Sequence, residues 1–277
     1  MRLGLDLAQH QLEWPELVRR ARFAESAGFE GGWVFDHFKA LYGDPTGPCF
    51  DGWTTMAGLA AVTERIRIGP LVTGVTYRHP SILAAQAVTV DHISGGRLEF
   101  SLGAAWFARE HRELGLPFPS GRKRAERLEE AIQVVRLLMT TDDASFEGRH
   151  FHLRGATYRP RPVQRPHPPI WVGASGEGRM LPVAGRQADV WHTYGSASAL
   201  RRQWSIVEEH ARRAGRDPSS IVRATSLSIS EPWDQVRAHA RSVREAGFSY
   251  LVVDWPSEGW DRIREFVDTV MPELARD

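Results

Sequence analysis

Eight short apolar runs, each followed by a stretch with helical spacing, recur along these 277 residues, and a chain punctuated in that way has few folds open to it. The runs are LGLDL at 3–7, GGWVFDHF at 31–38, residues 65–69, RLEFSLG at 97–103, PPIWVGAS at 168–175, ADVWHT at 188–193, IVRATSLSI at 221–229 and YLVVD at 250–254. Most are rich in β-branched or aromatic residues and bounded by Gly, Pro or polar turns, as strands are. Between them Trp14, Leu17, Val18, Ala21 and Ala24 line one helix face before Gly28, and Leu200, Trp204, Val207 and Ala211 line another. Further helices are predicted over 53–63, 82–93 and 236–246, and Trp260, Ile263, Phe266, Val267, Val270 and Leu274 mark the closing one. Strand-helix alternation builds a parallel sheet, and eight repeats argue for a single (β/α)8 barrel spanning 1–277 over a doubly wound sheet.

The fifth strand comes late. Between 103 and 168 lies about twice the length that one crossover needs. That stretch is predicted to hold a helix over 106–114, a second with Leu128, Ile132, Val135 and Leu138 on one face, an aromatic hairpin around FEGRHFHL, and a proline-rich linker. An insertion of about 105–167 at this end of a barrel is expected to cover or shape the pocket.

Charge and cysteine content narrow the function. A net charge of +1 without a Lys/Arg stripe argues against a nucleic-acid partner. A lone Cys49 forms no internal disulfide or multi-cysteine metal site, and the opening residues resemble neither a signal peptide nor a membrane anchor, so a cytoplasmic protein is expected. Ten tryptophans, several near strand ends, suit the stacking of a flat aromatic ligand.

The chemistry is sought at the C-terminal ends of the strands, where barrels place it. Residues 71–80, LVTGVTYRHP, run from a strand into such a loop and carry more polar and aromatic side chains than a connector needs. Asp36 and His37 end the second strand and are expected to point into the mouth. Histidine suits proton transfer near neutral pH, although Asp36 capping a turn over a packed His37 fits the same residues. Gly103, Ala104 and Ala105 would let a planar ligand lie against the chain. In GASGEGR at 173–179, small residues would let backbone amides approach a phosphate, with Arg179 adding charge. Glu110 and His111 are adjacent on a helix, so at most one should face the pocket. His79 and His92 are expected to cap or pack; His150 and His152 lack a third ligand, so no metal site is expected. Asp6, His192 and Asp254 sit at other strand ends and are expected near the pocket without assigned roles.

The order and spacing of DHF at 36–38, TGVTYRHP at 73–80, DHISGGRLEFSLGAAW at 91–106, EHRELGLPFP at 110–119 and PPIWVGASGEGR at 168–179 resemble the luciferase-like monooxygenase superfamily, in particular its coenzyme F420-dependent oxidoreductases. The resemblance implies F420 in the barrel mouth, hydride transfer to or from a small organic substrate, and His37 as proton donor or acceptor beside the deazaflavin. It also implies Asp36 bonding the ring, and a non-prolyl cis peptide at Gly74-Val75, next to Thr73, as its backstop. Gly103, Ala104, Ala105, Gly173, Ala174, Ser175, Gly176 and Arg179 complete the implied cofactor contacts, and a homodimer is the implied assembly. Trp106 stands where the sugar-phosphate dehydrogenases of that family carry an acidic residue, which disfavours glucose 6-phosphate. A monooxygenase using reduced FMN and oxygen is the alternative, and a non-catalytic flavin or F420 carrier a second one. A metal-dependent barrel hydrolase is disfavoured, since LGLDL has no metal-binding histidine.

Overall fold

The computed structural model describes residues 1–276. In chain order they form β1 (Arg2–Asp6), α1 (Trp14–Ser26), β2 (Gly31–Val34), α2 (Gly52–Val62), β3 (Arg67–Pro70), β4 (Thr73–Gly74), α3 (Pro80–Ile93), β5 (Phe100–Gly103), α4 (Ala108–Glu113) and α5 (Gly121–Thr140). Then follow β6 (Ala144–Glu147), β7 (His152–Ala156), β8 (Ile170–Gly173), α6 (Met180–Gln187), β9 (Val190–Thr193), α7 (Ala197–Arg213), β10 (Val222–Leu227), α8 (Trp233–Glu245) and β11 (Tyr250–Val253). The chain closes with α9 (Trp260–Glu265), a π turn and α10 (Met271–Arg276).

Nine strands share one parallel sheet in the order β3-β2-β1-β11-β10-β9-β8-β5-β4. Its two ends meet where Ile68 of β3 exchanges backbone hydrogen bonds of 3.0 and 2.8 Å with Arg97 and Glu99, just ahead of β5. β3 and β4 are therefore the two halves of one broken strand, and the ring has eight positions, as the repeat count predicts. Helices start where the sequence supplies caps. The Asp51 carboxylate accepts from Thr54 N at 2.8 Å at the head of α2, and His79 Nδ1 accepts from Ser81 N at 3.2 Å ahead of Pro80 in α3.

The floor of the barrel is filled. Tyr250 meets Trp33 and Trp171 edge to face inside it, its ring lying 6.1 Å from Trp33 and 5.1 Å from Trp171, while the two indoles meet at a tilt 4.3 Å apart. Gly4 makes room for them, since a Cβ there would stand 2.4 Å from the Trp33 indole nitrogen. Beside them the Glu99 carboxylate takes the Trp171 indole N–H at 2.5 Å and pairs with Arg67.

The segment between β5 and β8 departs from expectation. The β6/β7 hairpin lies on the flank of the barrel, where Glu130 of α5 accepts the amides of Arg149, His150 and Phe151 at 2.9, 2.8 and 3.1 Å. The linker after it is tied to the ends of α5 and α3 through Arg161 to Leu138 O and Gln164 to Asp91. Only Ala105 and Trp106 of this segment line the mouth, so the insertion does not roof the pocket. The apolar face of its α5 packs against α3 instead.

Candidate active site in the barrel mouth

The cavity owes its shape to one valine. After Pro70 ends β3, the Leu71-Val72 peptide is cis and the chain bulges inward before β4 resumes. Val72 is received by two glycines of the neighbouring strands: a Cβ on Gly103 would stand 2.5 Å from its Cγ2, and one on Gly173 would stand 2.8 Å from its Cγ1. With Gly74, Ala104, Ala105, Ala174, Ser175 and Gly176, these residues make one wall of a cavity of about 650 Å³, within the range of cofactor pockets. Tyr42, Trp106 and Tyr194 stand at its rim, 73, 64 and 60% exposed.

His37 is held at one side by a buried carboxylate. Glu110 reaches it from α4: Oε2 lies 2.9 Å from His37 Nδ1 and takes the Tyr77 hydroxyl proton, while Oε1 accepts from the amides of Phe38 and Lys39 at 2.7 and 3.1 Å. Burial alone would raise the Glu110 carboxyl, but hydrogen bonds from His37, Tyr77 and Phe38 outweigh it and hold the pKa below its ordinary value. Burial and that carboxylate push the Tyr77 phenol up. A carboxylate can only accept, so Nδ1 of His37 carries a proton and Nε2 is left for whatever occupies the cavity.

The opposite wall is acidic. Asp6 ends β1 and Asp254 directly follows β11, and burial pushes the Asp6 carboxyl up to about 7, opposed by the Ala8 amide and reinforced by Asp254. The folded state thus binds this proton more tightly than the unfolded chain. The resulting penalty is absent at low pH and grows as pH rises from the ordinary 3.8 through 7, reaching roughly 4 kcal/mol. Asp6→Asn should therefore stabilise the protein more at pH 8 than at pH 5, measured by urea unfolding; equal gains at both would reject the burial of this charge. His192, at the end of β9, also faces the cavity, and burial pushes its pKa down to about 3, so the ring is neutral.

The sequence profile of the luciferase-like monooxygenase family matches residues 1–248. The chain belongs to the luciferase-like monooxygenase family. As a member it is an oxidoreductase. It is 29% identical over 256 residues to an F420-dependent hydroxymycolic acid dehydrogenase of Mycobacterium tuberculosis, covering 92% of this chain and 69% of that one. It is 31% identical over 235 residues to an FMNH2-dependent dimethylsulfone monooxygenase of Pseudomonas putida, covering 82% and 64%. Its fold is that of an F420-dependent secondary alcohol dehydrogenase solved with an F420-acetone adduct, with a TM-score of 0.89 at 21% identity over 100% of this chain and 99% of that one.

Within this luciferase-like barrel the residues singled out from sequence separate into two groups. His37, Gly74, Gly103, Ala104, Ala105, Gly173, Ala174, Ser175 and Gly176 all line the cavity. Asp36 does not: successive side chains of an extended chain point opposite ways, and its carboxylate turns to Arg78 at 2.5 Å, leaving Oδ1 buried without a partner. Thr73 and Val75 are buried behind the wall, Thr73 accepting the Trp53 indole N–H at 2.9 Å. Arg179 is exposed and outside the lining. The non-prolyl cis peptide sits at Leu71-Val72, not at Gly74-Val75.

Both Glu110 and His111 are buried and neither lines the cavity; His111 stacks on Tyr77 and meets Thr76 Oγ1 at 2.6 Å. His79 caps α3 and His92 meets Arg161 O at 2.8 Å, as expected of capping or packing residues. Asp6, His192 and Asp254 line the cavity. Leu71, Val72, Tyr77 and Tyr194 lacked an assigned place. Only Tyr77 had a visible signal, a phenol crowded beside Arg78 and His79 in a strand-end loop.

Proposed function

We propose that this luciferase-like enzyme holds coenzyme F420 in the barrel mouth and passes a hydride between it and a small organic substrate. The observation that carries the reading is Val72 seated between Gly103 and Gly173, which gives a flat wall of backbone and small side chains with the open nitrogen of His37 at one side. A fused tricycle needs such a face, and the cavity volume accommodates one. Ser175 and the Gly173 and Gly176 backbone line the same wall and would hold the phosphate end of the side chain. Arg179, outside the lining, is left out of that contact.

F420 supplies a hydride at C5 and reacts poorly with oxygen. The protein's part is to position and to move a proton. Glu110 and Tyr77 fix the His37 ring, and His37 Nε2 holds or delivers the proton that a substrate hydroxyl loses or a carbonyl gains. The rim aromatics Tyr42, Trp106 and Tyr194 exclude water from the body of a bound substrate.

The reading with reduced FMN and oxygen is favoured by the 31% identity to the dimethylsulfone monooxygenase. Parallel fluorescence titration of the purified protein with F420 and FMN decides between them. Micromolar or tighter binding of F420 is expected, and FMN bound about tenfold more tightly would give the site to monooxygenation. Binding of F420 without turnover across a panel of alcohols and ketones would make the protein a carrier. The same family membership supports a homodimer in the cytoplasm as part of the proposal.

A further inference from the structure

Away from His37 the cavity adjoins a side recess of about 40 Å³ lined by Asp6, Leu71, Tyr194, Ser226 and Asp254 among others. Only one carboxylate oxygen in it has a protein partner: Asp6 Oδ1 accepts the Ala8 amide at 2.9 Å. The other Asp6 oxygen and both oxygens of Asp254 accept no hydrogen bond among the described residues. His192, 2% exposed, faces the adjoining cavity, with Nε2 only loosely placed at 3.4 Å from Ser226 Oγ and Nδ1 bonded to nothing among the described residues.

No lysine or arginine lines the cavity or the recess among the described residues. Arg20, whose charge acts weakly on Asp6, is taken up by Glu16 at 3.3 Å and Leu7 O at 3.1 Å, and lies over the Trp255 ring. Two carboxyl groups with no cation lining their recess take their hydrogen-bond partners from elsewhere, and above about pH 7, where Asp6 is ionised, an anion brought beside them would be repelled in a poorly screened space. The recess has room for a group the size of a water molecule and little more.

We infer that the recess receives a second polar group of the substrate, remote from the carbon that reacts beside His37, and that this group is a small hydrogen-bond donor without negative charge, a hydroxyl or ammonium group. Carboxylates and phosphate esters are rejected. The inference deepens the oxidoreductase reading and rests on it for the presence of a substrate in the mouth.

The test is a calorimetric titration at about pH 8, above the Asp6 pKa of about 7, of the F420-loaded protein with butanol, butylamine, butyrate and butyl phosphate, which share one chain and differ in the head. Butanol or butylamine is expected to bind, with butyrate and butyl phosphate at least about tenfold weaker. The variants Asp6→Asn and Asp254→Asn should weaken the favoured compound about tenfold while F420 affinity moves by less than about threefold. An anion bound as well as the neutral or cationic compound, or no binding by any of the four, overturns the inference. Failure of F420 itself to bind overturns the cofactor reading instead. The same four compounds titrated into the FMN-loaded protein then test the recess on its own.

Discussion

Replacing His37 by alanine is expected to lower turnover with reduced F420 by about two to four orders of magnitude, the usual worth of a positioned acid or base. The cofactor dissociation constant should move by less than roughly threefold, because the flat wall of Val72, Gly103 and Gly173 lies on other strands. Unchanged turnover, or an equal loss in binding and rate, would remove His37 from proton transfer and leave it as packing beneath the mouth.

Glu110→Gln should cost nearly as much turnover for a different reason. The glutamine oxygen can keep the amides of Phe38 and Lys39, but its NH2 then faces His37 Nδ1 and the Tyr77 hydroxyl, two groups that now donate to Oε2. His37 would have to accept at Nδ1 and carry its proton on Nε2, the wrong tautomer for taking one from substrate. A loss of about a hundredfold or more in rate, with F420 binding retained, is the expected result. The two displaced charge-assisted hydrogen bonds should also lower stability by about 2–4 kcal/mol in urea unfolding. Nitrogen NMR of the ring separates the two roles, since a purely structural Glu110 would leave the tautomer as it is.

The repeating pattern of strands and helices was readable because it follows from burial alone: each strand must be apolar, and each helix must cover the sheet with one face. Strand ends were readable too, which is how His37, Asp6, His192 and Asp254 came to be placed near the mouth. Orientation was harder. Asp36 and His37 are neighbours on one strand end, and only the pleat decides that one faces the cavity and the other Arg78. The cis bond at Leu71-Val72 leaves no mark in composition, so attention fell on the glycine three residues later. Gly103 and Gly173 were read as room for a ligand, whereas part of that room is taken by Val72. The Glu110 contact was invisible because it joins residues 73 positions apart. The hairpin around 144–156 gave a strand signal but no hint of the direction in which it folds back.

The plug of Trp33, Trp171 and Tyr250 has a kinetic corollary. A chamber closed below has one door, so two visitors must queue, and the one that settles deeper has to arrive first and leave last. Cofactor and substrate would then follow a compulsory order, and a tight substrate analogue would trap the redox partner behind it rather than compete with it.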